Sequence, residues 1–379
     1  MINEALDKYA FLDGRDKSMF VKIIHGSLEY RIRIDHIIDK YSSVNVERMK
    51  PLIRNVLRMS VYQILYLDKI PDSAVCDEAV KLVKRSALKN LSGFVNGVLR
   101  NIARNKDAIE IDDIPTDLSV RGWMYDILVE SIGKEETEEF LKYVLAEHGV
   151  SVRSVGTDEV YILDDAASLT ASEAWNCGRI IAQDYSSSLP VIIAGVKKGD
   201  TVLDVCAAPG GKSIQAAEKV GEEGHVIACD LTEYKIDKIK ENIKRLGITN
   251  IETRVRDALI RDDMLVETAD VVIADCPCSG IGTISKKPEI KNRLSKKDCL
   301  QLADIQRKIL DNVCDYVKKG GKLLYSTCTL DHFENEDNIK AFLEKHEDFR
   351  LAEEKIMIPS LHEDKPYDGF YIALMIKND

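Results

Sequence analysis

The chain has 379 residues, 45% of them hydrophobic and 31% charged, with a net charge of −11. That length exceeds one ordinary core and the composition is that of a folded soluble protein, so two or three domains are expected. No apolar run reaches the ~18 residues that span a bilayer. The acidic start Met1-Ile2-Asn3-Glu4 is not that of a signal peptide, which points to the cytoplasm.

Residues 1–106 read as helical throughout. Phe20, Ile23, Ile24 and Leu28 recur at helical spacing, as do Ile53, Val56, Leu57 and then Ile64 and Leu65. Pro51 and Pro71 stand at helix starts, and an all-α bundle of about five to seven helices follows. This third holds 19 Lys and Arg against 12 Asp and Glu, a net +7, while the remainder carries −18. A basic module on an acidic body suits contact with phosphates. The acidic stretch 107–116 reads as a linker, placing the first domain at 1–116. Helices are expected at 118–131 and 135–147, inside a linker and small α/β subdomain spanning 117–180.

From about residue 150 short β-rich runs alternate with helical ones. Strands are expected at 201–206, 225–230, 251–257, 271–275 and 321–328, and closing strands at 349–356 and 369–377. Helices fall at 211–220, 234–246, 297–317 and 334–346. This alternation predicts a doubly wound, mostly parallel α/β sheet of the Rossmann-like kind over 181–379. The nine cysteines lack framework spacing, and their odd number implies free thiols. Cys276 and Cys278 have no CxxC partner or clustered histidine, so no metal is expected.

In such a sheet, ligands bind beyond the carboxyl ends of the strands. The loop Cys206-Ala207-Ala208-Pro209-Gly210-Gly211-Lys212 follows Asp204 at the end of the first strand, and its glycines permit close backbone approach. Asp230 ends the next strand, placed for ribose hydroxyls, and Asp257 ends the third, where adenine edges are commonly read. This arrangement alone says nucleotide cofactor, with NAD as a competitor, although the loop is neither G-x-G-x-x-G nor a P-loop.

Three strings carry a resemblance. Asp204 to Lys212 resembles motif I of the RNA cytosine-5 methyltransferases. Asp275-Cys276-Pro277-Cys278-Ser279-Gly280 resembles their motif IV, and Tyr325-Ser326-Thr327-Cys328-Thr329 their motif VI. The helical third is similar to the RNA-binding NusB fold, notably at Leu57-Arg58-Met59-Ser60-Val61-Tyr62-Gln63-Ile64-Leu65 and Phe94-Val95-Asn96-Gly97-Val98-Leu99-Arg100. A NusB-like module joined to this methyltransferase is the layout of the RsmB (Sun/Fmu) family.

The resemblance implies S-adenosyl-L-methionine as cofactor and C5 methylation of a cytosine in 16S ribosomal RNA, cytosine 967. It implies an enzyme acting on that RNA or a small-subunit assembly intermediate, as a monomer, without membrane or metal. Carbon 5 of cytosine is a poor nucleophile until a thiolate adds at carbon 6, so the chemistry needs a cysteine of thiolate character and an acid near N3. By resemblance Cys328 is the nucleophile, Cys278 assists release, and Asp275 meets the N3/N4 edge beside the cofactor. Lys212 is expected to orient Asp275 or the cofactor. The basic run containing Lys286, Lys287, Lys291 and Arg293 is expected to hold flanking phosphates of the RNA.

The match is incomplete in two places. The family's middle subdomain is expected to be shortened, with no R-[VI]-N string and only 152–163 as a remnant. His332 and Phe333 stand where the family has a proline before Glu334-Asn335-Glu336, and His332 reads as a surface histidine at a helix start rather than a general base. Two other readings differ in their demands. A DNA cytosine-5 methyltransferase requires Cys278 as nucleophile, and a non-catalytic NusB-like RNA-binding factor requires a missing motif residue, whereas Asp204, Asp230, Asp275, Cys278 and Cys328 are all present. Another ribosomal or transfer RNA cytosine is the nearer alternative target.

Overall fold

The computed structural model describes residues 13–163, 169–170, 172–363 and 365–379. The N-terminal residues 1–12, where the helical reading begins, lie outside them. The chain divides into two compact units, one formed by Met1–Tyr125 with Lys291–Arg293 and the other by Asp126–Ile290 with Leu294–Asp379.

The first unit is helical. Its main helices are Gly14–Glu29, Arg31–Tyr41, Pro51–Tyr66, Asp72–Lys84 and Ser92–Asn105. Asp13 caps the first by accepting from the Asp16 amide, and Pro51 opens the third at a position whose amide needs no helical partner. Ile34, Ile37, Ile38, Ile53, Leu57, Leu99 and Ile102 make its core. These side chains recur three and four residues apart, so each helix turns one apolar face inward. Phe20, Ile23, Ile24 and Leu28 follow the same spacing but stay half-buried.

The second unit holds two sheets. A three-stranded antiparallel sheet has the order β2-β1-β3, with β1 at Val150–Ser154, β2 at Val160–Leu163 and β3 at Ile180–Ala182. The sequence reading saw only a remnant here. The sheet is latched to the helix Gly211–Val220 by Arg153, fully buried on β1, whose Nη1 donates to Glu218 Oε2 at 2.7 Å and whose Nε donates to Gln183 Oε1 at 2.7 Å.

The larger sheet comprises β4 (Thr201–Asp204), β5 (His225–Asp230), β6 (Ile251–Val255), β7 (Ala269–Asp275), β8 (Val317–Thr327), β9 (Phe349–Met357) and β10 (Phe370–Lys377). Their order is β6-β5-β4-β7-β8-β10-β9. The first five are parallel, and β10 runs antiparallel to β8 and β9. The chain leaves β4 for β5 on one side and reaches β7 on the other, so the order reverses beside β4, where such sheets open a crevice. Side chains alternate between faces. Val271 and Ile273 pack with Ala216, Ala217 and Val220 on one side, while Val272 and Ala274 pack with Ile309, Leu310 and Val313 on the other.

Several element ends differ from those expected, among them β4, which stops at Asp204 rather than 206. β6 stops at Val255, leaving Asp257 in the following loop. The long helix ends at Val313 because β8 already begins at Val317. The helix expected from 334 starts at Glu336, because the side chains of Glu334 and Asn335 are bonded elsewhere. Among the described residues, no helix is long and apolar enough to cross a membrane.

Candidate active site

The loop after β4 turns sharply into the helix Gly211–Val220. Gly210 takes φ +105°, a conformation side chains disfavour, and a Cβ there would also press within 3.3 Å of Ile239. Asp204 is buried at the strand end, and its Oδ2 accepts from Ser213 Oγ at 2.6 Å. Among the described residues its Oδ1 makes no hydrogen bond of ordinary geometry. Burial pushes this carboxyl up to about 7 despite the Ser213 bond. Asp230, buried at the end of β5, accepts from the Ala208 amide at 2.9 Å and the Leu231 amide at 2.7 Å, and pairs with Lys235 at 2.9 Å. It therefore steadies Cys206 to Lys212 from the neighbouring strand. Asp257 Oδ1 accepts from the Leu259 amide at 2.9 Å, shaping the loop beyond β6.

At the ends of β7 and β8 the two motif cysteines meet. Cys278 Sγ and Cys328 Sγ lie 3.2 Å apart, both half-buried. The hydrogen bond from Cys278 pulls the Cys328 thiol below its ordinary value against the effect of burial, and the charge of Lys287 acts in the same sense. The Cys278 thiol is held well above its ordinary value by the same hydrogen bond, then by burial and by the charges of Cys328, Glu334 and Asp275. Of the two sulfurs, Cys328 is therefore the one whose thiolate form the surroundings favour.

Asp275 ends β7 beside this pair. Its Oδ1 accepts from Ser326 Oγ at 2.8 Å, and its Oδ2 accepts from Lys212 Nζ at 2.7 Å. Lys212, buried, also donates to Ser187 Oγ at 2.9 Å. One carboxylate is thereby fixed between the loop after β4 and the strand carrying Cys328. Ser187 was not singled out from the sequence, where it is one serine in a run of three. Cys276 is buried in the core, and a contact with Cys206 is the first cause raising its thiol, followed by burial.

The basic run behaves unevenly. Lys286 Nζ donates to Asp184 Oδ2 at 2.6 Å and to Asp368 Oδ2 at 2.9 Å; Asp368 is buried and Asp184 half-buried. Burial pushes Asp368 up to about 6. Lys286 is thus exposed yet paired with two acids. Lys287 and Arg293 are exposed. Lys291 departs from the expectation more strongly: it is buried, its Nζ donates to the Glu29 carbonyl at 2.8 Å, and burial lowers it to about 8. An ammonium so enclosed cannot meet RNA phosphates. His332 Nδ1 bonds Asp337 Oδ2 at 3.1 Å, anchoring the turn before the helix Glu336–Lys345.

Among the described residues, one group, Cys299, Asp331 and Glu334, has ligand atoms close enough for a metal ion, within 4.8 Å of one another. Burial is the first cause raising each of these groups, Glu334 to about 7, which favours their protonated forms.

The model of the 16S rRNA methyltransferase RsmB/F family matches residues 191–375, and the NusB family model matches residues 1–104. The probable ribosomal RNA small subunit methyltransferase B of Bacillus subtilis (strain 168) is 34% identical over 368 residues, covering 89% of this chain and 82% of that protein. A protein of the same description from Synechocystis is 30% identical over 382 residues, covering 92% and 85%. The crystal structure of PH0851 matches with a TM-score of 0.81 at 26% identity, over 99% of this chain and 93% of that one.

Proposed function

Because the chain belongs to the 16S rRNA methyltransferase RsmB/F family, and so is an S-adenosylmethionine-dependent rRNA methyltransferase, we propose that it methylates carbon 5 of a cytosine in 16S rRNA, cytosine 967, through a covalent bond from Cys328. The observation that carries this is the contact of two sulfurs fifty residues apart, at 3.2 Å, on adjacent strand ends beside a fixed carboxylate.

The residues around β4 suit the cofactor. Gly210 allows the tight turn of the loop, Asp230 ends the neighbouring strand, and Asp204 Oδ1 is a buried acceptor without a hydrogen-bond partner among the described residues. Cys206 to Lys212, Asp230, Asp257 and Asp275 would hold it. When bound, S-adenosylmethionine supplies an electrophilic methyl group.

The chain's own residues make carbon 5 able to take that methyl. Cys328 Sγ bonds to carbon 6, and the ring electrons move to carbon 5. Asp275, held by Lys212 and Ser326, faces the N3/N4 edge of the base, and its carboxyl proton passes to N3 as the negative charge of the addition shifts there, to be returned when the sulfur leaves. Once carbon 5 is methylated, a base takes its proton, the electrons of that C–H bond re-form the C5=C6 double bond, and the bond between sulfur and carbon 6 breaks with Cys328 leaving as thiolate. Cys278, in contact with the departing sulfur, assists that release. The target must be unpaired or flipped to reach these groups, at a cost of a few kcal/mol. Lys287 and Arg293 remain the cations of the basic run open to its flanking phosphates, and the positive helical unit supplies further phosphate contact.

Incubating the purified chain with unmodified 16S rRNA or small subunits and labelled S-adenosylmethionine tests this directly. Nucleoside and fragment mass spectrometry should find 5-methylcytidine at 967. Label on a different atom, or on no cytosine, contradicts the assignment; 5-methylcytidine elsewhere moves the target and keeps the chemistry.

A further inference from the structure

Glu334 and Asn335, just beyond Cys328, are given no part in the reaction above. We propose that they are positioning residues that brace the two cysteine-bearing segments and hold the sulfurs in register. The proposal rests on the cysteine assignments above and goes beyond them.

The geometry is reciprocal. Asn335 clasps the backbone on both sides of Cys328: its Oδ1 accepts from Thr327 Oγ1 at 2.6 Å, and its Nδ2 donates to the Thr329 carbonyl at 3.0 Å. Glu334 and Gln306 do the same for Cys278. Glu334 Oε2 accepts from the Ser279 amide at 2.9 Å, while Gln306 Nε2 donates to the Pro277 carbonyl at 2.9 Å and to Glu334 Oε2 at 2.8 Å. A hydroxyl rung, Ser279 Oγ to Thr329 Oγ1 at 2.8 Å, lies one residue beyond the thiol contact on each segment. Tyr325 Oη fastens the brace to β8 by donating to the Glu334 carbonyl at 2.5 Å.

These groups are buried: Glu334 and Gln306 are 0% exposed and Asn335 1%. Water cannot replace the bonds, so removing one partner leaves the other unsatisfied. The engagement also explains why the helix begins only at Glu336. Asn335 sits at φ −111° and ψ −100° with its side chain turned to Thr327 and Thr329 instead of capping the helix. Misplacing a reacting group by about 1 Å costs on the order of 100-fold in rate. A brace on both sulfurs should therefore act on turnover rather than on substrate binding.

The test uses the full chain, with 16S rRNA and S-adenosylmethionine, in four steps. Glu334→Ala should lower kcat at least tenfold with KM for both substrates within about twofold, the rate loss following from displaced sulfur. It should also accumulate a denaturation-resistant protein–RNA adduct, as Cys278→Ala does, because Cys278 is no longer held to assist release. Glu334→Gln keeps a carbonyl acceptor and should recover most of the loss. Asn335→Asp is isosteric but cannot donate to Thr329, and should slow adduct formation itself. Wild-type kcat in Glu334→Ala overturns the brace, as does loss of kcat without adduct. Should Glu334→Ala not fold, unchanged adduct formation in Asn335→Asp overturns it instead. If Cys328→Ala is inactive and Cys278→Ala traps adduct while Glu334→Ala does not, the brace alone fails. If Cys328→Ala still methylates, the underlying cysteine assignment fails.

Discussion

The helical unit, over its described residues, buries aliphatic side chains such as Ile34, Ile37, Leu57 and Leu99, with Ser27, Ser60, Ser119 and Lys291 as the polar exceptions. The sheet unit buries Arg153, Asp204, Lys212, Asp230, Asp331, Glu334 and Asp368, and these lie mostly around the strand ends where Cys278 and Cys328 meet. An apolar interior gains free energy from area removed from water, at roughly 25 cal/mol per Å². Burying an ionisable group costs several kcal/mol unless it is paired or gives up its charge. One unit is therefore arranged for packing, and the other accepts the cost of buried charge where it fixes thiols and a carboxylate.

The largest effect expected from this contrast lies in the sheet unit. Cys328→Ala should abolish methyl transfer, by a thousandfold or more, because it removes the group proposed to add to carbon 6, and Cys278→Ala should instead leave protein joined to RNA. Electrophoresis under denaturing conditions reads both outcomes. Adduct in Cys328→Ala, or normal turnover in Cys278→Ala, would reverse the two roles.

Stability comes next. Arg153→Met leaves Glu218, half-buried, without its partner and should cost about 3 kcal/mol in denaturant unfolding. Leu57→Ala, in the aliphatic core, should cost about 2–5 kcal/mol by transfer and cavity formation. The two should differ in salt response, because only the first exposes an uncompensated charge. Identical salt responses would weaken the distinction between the units.

A smaller effect follows pH. Asp204 is raised from 3.8 to about 7 by burial. A raised carboxyl favours the folded state fully below its unfolded value and loses that contribution as pH rises through the folded one. Asp204→Asn removes the dependence, so its stability relative to wild type should grow between about pH 4 and 7, by a few kcal/mol at most. Parallel curves would mean that Asp204 carries no such shift.

The smallest effect belongs to the helical unit's surface. Lys84, Arg85 and Lys89 are exposed, and reversing all three to Glu should flatten the dependence of log affinity for RNA on log salt by roughly 2 units. Chemistry at saturating RNA should be unchanged. A salt slope equal to wild type removes the helical unit from phosphate contact.

Much of the fold was legible because periodicity is local. Alternating strands and helices predicted the parallel sheet, and the motif spacings brought Asp275, Cys278 and Cys328 to neighbouring strand ends. What was not legible depends on side chains paired across long stretches of chain. Lys286 and Lys291 look alike in a basic run, yet one meets Asp184 and Asp368 and the other is enclosed against Glu29. Arg153 gave no sign of its partner Glu218, 65 residues away. Glu334 and Asn335 fit a helical pattern, and only their bonds to Ser279, Thr327 and Thr329 take them out of it.

The central claim is that Cys328 Sγ, and no other sulfur, bonds to the target base. The most direct measurement is to react Cys278→Ala with 16S rRNA and S-adenosylmethionine, digest the trapped complex, and sequence the modified peptide by mass spectrometry. A nucleotide carried on Cys328 is the predicted result; a nucleotide on any other cysteine, or no covalent peptide at all, would contradict it.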